Sequence, residues 1–152
     1  MRVARTVAVL TATTAALGLS LATAGSASAA AGSWKAYGNT NPITSSSATW
    51  GCHGSVTIAS SVLAQVCAIR SAGGGAVQAA VIVRNNRSTL FSVSAKADLW
   101  TSAGPLGDWA CSSSGVGANS WSVCFGKTLA ESARVNSVGT ANGVTLGQSS
   151  PV

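Results

Sequence analysis

The sequence predicts an all-β protein: a small, disulfide-stapled antiparallel β-sandwich, immunoglobulin-like or similar, behind a cleaved signal peptide. Three observations carry that prediction. Apolar and polar residues alternate at period two over much of the chain, the pattern of half-buried strands. Stretches rich in Gly, Ser and Asn cut the alternation into about seven short runs. Four cysteines, Cys52, Cys67, Cys111 and Cys124, follow an export signal, and an even count in an oxidising compartment argues for two disulfides.

The signal is read first, because it must be set aside before the fold is considered. Arg2 and Arg5 form a short positive head, the chain from Val7 to Leu21 is uncharged and mostly apolar or small, and Ala27-Ser28-Ala29 is a small-x-small cleavage pattern. The apolar run is short for a membrane span of about 20 residues. Residues 1–29 are therefore expected to be removed and the remainder secreted to the extracellular space, with no membrane contact in the mature form. Arg2 and Arg5 account for two of the net six positive charges. The other cations, Lys35, Arg70, Arg84, Arg87, Lys96, Lys127 and Arg134, are scattered. A nucleic-acid binder concentrates its cations on one face or stripe, so nucleic acid is not an expected partner.

Residues 30–48 are rich in Ser, Thr and Asn and read as a flexible leader. The domain proper is expected over 49–141. Trp50, Cys52, Val56 and Ile58 fall on one side of the first run, which turns His53 outward. Val62 to Arg70 is apolar on both sides and suggests an interior strand. A turn at Ala59-Ser60 would set Val56 opposite Leu63 and Cys52 opposite Cys67. Of the three pairings that four cysteines allow, this favours Cys52–Cys67 with Cys111–Cys124. Each bridge would close a loop of about 15 residues, worth roughly 3 kcal/mol through chain entropy. After the loop at Gly73-Gly74-Gly75, Val77, Ala79, Val81 and Val83 face the core. Phe91, Val93, Ala95, Ala97 and Leu99 do the same, while Ser92, Ser94, Lys96 and Asp98 face out. A short loop at Asn85-Asn86-Arg87 would pair Val81 with Phe91, although the alternation holds equally if the two strands lie in different sheets. Gly104-Pro105 and Gly107 mark residues 100–108 as a loop. Strands are expected at 109–112 and 120–129, with Trp121, Val123 and Phe125 on one face and Cys124 on the other. Thr128-Leu129-Ala130-Glu131 matches a helix capping box, yet 128–138 also alternates, and in an all-β chain a last strand is favoured. The tail 142–152 is polar and is expected to fray.

Chemistry is sparse. Outside the signal, the side chains suited to acid–base work near neutral pH are His53, Asp98, Asp108 and Glu131. There is no G-x-S-x-G elbow, no paired-cysteine zinc spacing and no phosphate loop. Catalysis, a metal and a cofactor are not expected. Five tryptophans are the unusual feature. By parity Trp50 and Trp121 belong to the core. Trp100 falls on the outward side at a strand end, and Trp109 opens the next strand. Trp100 and Trp109, with Asp98 and Asp108 beside them, would make a sugar platform: flat rings for the pyranose face and carboxylates for the hydroxyls. The expected function is therefore a non-enzymatic extracellular binding module for a glycan or a protein. The alternative is an inhibitor of a secreted hydrolase, with Arg84, Asn85, Asn86 and Arg87 as a pre-ordered docking loop.

Overall fold

The computed structural model describes residues 28–152, so the expected signal lies outside the described residues except for its last two. The described elements are all strands: β1 (Ala30–Ala31), β2 (Ser33–Gly38), β3 (Thr49–Cys52), β4 (Val56–Ala59), β5 (Val62–Arg70), β6 (Ala76–Asn85), β7 (Phe91–Thr101), β8 (Gly104–Val116), β9 (Ser120–Phe125), β10 (Leu129–Ala130), β11 (Asn136–Ala141) and β12 (Val144–Gln148). They form two sheets. One is five-stranded, in the order β1-β8-β7-β11-β12. The other is seven-stranded, in the order β2-β9-β6-β5-β3, with β4 also paired to β5 and β10 to β6. Every pairing is antiparallel except that of β1 with β8. No helix among the described residues is long and apolar enough to cross a membrane.

Period-two alternation explains the sandwich. Val62, Ala64, Val66 and Ala68 of β5, with Val77, Ala79, Val81 and Val83 of β6, face Val93, Ala95, Ala97 and Leu99 of β7 in a single buried cluster. The seven-stranded sheet has a second apolar face. Cys67, Ile69, Ala80, Ile82 and Val123 are buried there beneath Tyr37, Ile43, Ala48, Trp50, Trp121 and Phe125. Strands apolar on both faces belong in the interior of a sheet with both sides covered, as β5 was expected to be. Trp50 and Trp121 therefore pack on the outer face of this sheet and not in the central core.

Both disulfides join as expected, and their placement differs. Cys52–Cys67 links directly paired residues of adjacent strands, with Cα atoms 4.0 Å apart. Cys111–Cys124 ties β8 of one sheet to β9 of the other through the central core. Cys124 does lie opposite the aromatic face of its strand. The backbone crosses between the sheets at Gly32, directly above this bridge. A Cβ there would meet Cys111 Sγ at 2.8 Å and the Phe125 carbonyl at 2.9 Å.

Several local expectations are corrected. The segment 30–48 is no loose leader: β1 adds to β8, β2 adds to β9, and Ile43 and Ala48 cover the outer cluster. The turn after β4 falls at Ser60-Ser61, with Ser61 in the left-handed region (φ 58°), and Ala59 pairs with Val62. A register shift places Val56 opposite Ala64, while Cys52 still meets Cys67 because residues 53–55 break the strand. That break also separates the faces, so Val56 and Ile58 pack on the central core while Trp50 and Cys52 pack outside it. Strands β6 and β7 lie in different sheets, so Val81 does not pair with Phe91. Gly104-Pro105 and Gly107 belong to a long hairpin strand, with the turn confined to Ser102-Ala103 and a register shift at Leu99/Trp100. Residues 128–138 form neither a helix nor one strand: β10 and the start of β11 flank an irregular stretch. The tail carries β12, and Val152 exchanges two backbone hydrogen bonds with Val135.

The passage from β6 to β7 is organised by Asn85, which is wholly buried. Its Nδ2 donates to the carbonyls of Thr89, Val116 and Gly117, and its Oδ1 accepts from the Arg87 amide. Removing the side chain deletes these four hydrogen bonds, the one to the Val116 carbonyl fully buried, and an unsatisfied buried polar group costs about 1–3 kcal/mol. Asn85→Ala is expected to lower unfolding free energy by that amount in urea denaturation with the slope unchanged. A loss within about 0.5 kcal/mol, ordinary for a surface substitution, would contradict this role.

Candidate ligand-binding face

The two sheets treat their outer faces differently. Chain covers the outer face of the seven-stranded sheet, whereas the outer face of the five-stranded sheet carries polar side chains and one large aromatic ring. On β7 the outward residues are Ser92, Ser94, Lys96, Asp98 and Trp100, as the alternation predicts. Directly paired residues share a face, so the register gives the layout. Asp98 lies between Asp108 of β8 and Val138 of β11. Lys96 lies between Ala110 and Thr140, and Trp100 between Pro105 and Asn136.

Shallow depressions mark this face. One of about 400 Å³ is lined by Asp98, Trp100, Pro105, Leu106, Gly107 and Asp108. A second of about 220 Å³ lies on the other side of Asp98, between Lys96, Val138, Thr140 and Thr145. A third of about 480 Å³ adjoins Lys96, Ala110, Ser112 and Thr140. Trp100 is 38% exposed, so its ring is available from solvent. The Asp98 carboxyl is held above the usual carboxylate range. Partial burial is the main cause and the facing charge of Asp108 the next, with Lys96 opposing them.

The four residues expected to form a sugar platform are not all brought together. Trp100, Asp98 and Asp108 share one depression, but Trp109 is only 4% exposed and packs in the central core. Its parity on β8 matches that of Cys111, which faces inward. Its ring also lies where Cβ atoms at Gly107 and Gly126 would stand, 2.7 Å and 2.6 Å from ring carbons. Those glycines open the space that buries it. Asn136, Val138 and Thr140 were missed, because they reach this face through the pairing of β11 with β7, which nothing local in the sequence announces.

The charged side chains of the alternative loop are tied back onto the protein surface. Arg84 donates to Asn86, Asn39 and the Asn119 carbonyl and lies over the Trp121 ring. Arg87 donates to the Ser60 carbonyl and covers Phe91, and Asn85 is buried. Of that set Asn86 is the exposed member; beyond it Leu90 is 63% exposed. His53 is exposed, as expected, and its ring lies against Gly147. Among the described residues, no three of His, Cys, Asp and Glu gather to hold a metal ion. Comparison with protein-family models and with curated proteins returns no match.

The two tryptophans give a direct test of this assignment. Trp109→Ala is expected to cost about 3–5 kcal/mol of stability, as truncation of a buried aromatic does. Trp100→Ala should stay within about 0.5 kcal/mol of the parent in the same urea titration. Equal losses at the two positions would place both rings in the same environment and contradict the assignment.

Proposed function

We propose that the protein is exported and works outside the cell as a non-enzymatic binding module, with a glycan laid along the outer face of the five-stranded sheet. The export signal read in the sequence and the two disulfides support the extracellular setting. One observation carries the ligand class: an exposed indole, Trp100, stands on the same strand face as Asp98, with Asn136 and Pro105 beside it. An indole offers an apolar plane to the C–H face of a pyranose, and side-chain amides and carboxylates bond its hydroxyls. A face built on regular strands holds these groups at fixed spacing, so little ordering opposes binding.

The test is depletion of the mature protein from solution by insoluble polysaccharides and cell walls, in high salt to screen its net positive charge. Retention by at least one polysaccharide is expected, with Trp100→Ala weakening it about tenfold, equivalent to 1.4 kcal/mol. Retention that the substitution leaves unchanged, or none on any polysaccharide, would contradict the proposal.

A further inference from the structure

The depression at Trp100 has a charge that a neutral sugar does not require. The whole chain contains three carboxylates against nine Lys and Arg, yet two of the three, Asp98 and Asp108, stand directly opposite each other across β7 and β8. Like charges facing each other across a strand pair are destabilising. Lys96, two residues from Asp98 on the same face, is outweighed at Asp98 by burial and by Asp108, and its own partners on the face, Ala110 and Thr140, are uncharged. From β11 the pair is faced by Asn136, Val138 and Thr140, which bring no charge. A basic protein thus presents a small anionic patch beside its exposed indole, in one depression of about 400 Å³.

We propose that this depression takes a sugar carrying a free ammonium group: a glucosamine unit of a de-N-acetylated glycan such as chitosan. The inference rests on the glycan-binding reading above and narrows it to a substrate class. The ammonium sits between the Asp98 and Asp108 carboxylates, relieving their mutual repulsion, while the pyranose face lies on Trp100. A cation beside an indole gains further from the ring quadrupole. Acidic sugars are repelled by the same two carboxylates, and an N-acetylated unit brings no charge to offset them. Binding requires both partners ionised. It therefore declines at low pH as Asp98, whose affinity for a proton is raised, takes one up. It declines again at high pH as the amine loses its proton.

The experiment is calorimetric titration of the mature protein with glucosamine hexamer and with N-acetylglucosamine hexamer, at about pH 6, between the ordinary carboxylate and amine ranges. The free-amine hexamer is expected to bind at least about tenfold more tightly, a difference of about 1.4 kcal/mol. In the Asp98→Asn/Asp108→Asn variant that preference should disappear; asparagine keeps the shape and removes the repulsion, so the variant is expected to fold. Trp100→Ala should weaken both hexamers. Equal affinity for the two hexamers, still lost in Trp100→Ala, would overturn the amino-sugar inference and leave glycan binding standing. A preference that survives in the double asparagine variant would overturn the role of the acidic pair. Binding of neither hexamer would overturn the inference; if the insoluble polysaccharides also fail to retain the protein, the glycan reading falls with it.

Discussion

Burial of both faces of β5 and β6 is the constraint on which the rest of the structure depends. These strands carry Val, Ala, Ile and Cys at successive positions, so the sheet they centre cannot leave either side in water. One side is closed by the five-stranded sheet, whose inward residues alternate with polar ones. The other is closed by chain that composition alone marks as loose: Tyr37 from β2 and the Ile43–Ala48 segment lie over Trp50, Trp121 and Phe125. The five-stranded sheet is apolar on one face only. Its outer face needs no cover, and Trp100 stands open there. The asymmetry between a sheet covered twice and a sheet covered once produces the candidate site.

The two disulfides serve the halves of this arrangement separately. Cys111–Cys124 crosses the central core and fixes β8 against β9, and with it the hairpin that carries Asp98, Trp100 and Asp108. Cys52–Cys67 fastens the edge strand β3 to β5 under the outer cluster. Core residues on both inner faces are mostly Val and Ala, so each buries little area, and cross-links matter more where the apolar content per residue is small. Hydrogen bonds from Asn85 and Arg84 then lock the turns at the end of the molecule away from the β5–β6 loop.

Strand parity was legible in the sequence wherever the alternation ran unbroken. The inward and outward residues of β6, β7 and β9 follow directly from period two, and Trp100 stands outward as its parity requires. Parity failed where a break or bulge intervened. Residues 53–55 put Trp50 and Val56 on different faces although their spacing is even. Composition misled at both ends of the domain: β2 and β12 are edge strands, which present one side to water and need few large apolar residues, and each carries only two large apolar or aromatic side chains, Trp34 and Tyr37 in β2, Val144 and Leu146 in β12. Trp109 shows what local reading lacks. Its inward parity was available from Cys111, but the room for its ring comes from Gly107 and from Gly126 on a distant stretch of chain. The contribution of β11 to the candidate face is likewise a product of sheet order, which a single sequence does not encode locally.

The central claim is that the bare outer face of the five-stranded sheet is where the protein meets its ligand. Mapping amide chemical-shift changes in isotope-labelled mature protein on addition of a soluble glucosamine oligosaccharide tests it most directly. The account predicts changes confined to β7, β8 and β11 around Asp98, Trp100, Asp108 and Asn136, together with the indole N–H of Trp100. Changes centred instead on the Asn86–Leu90 loop, or on the Tyr37 and Trp121 side of the seven-stranded sheet, would contradict it.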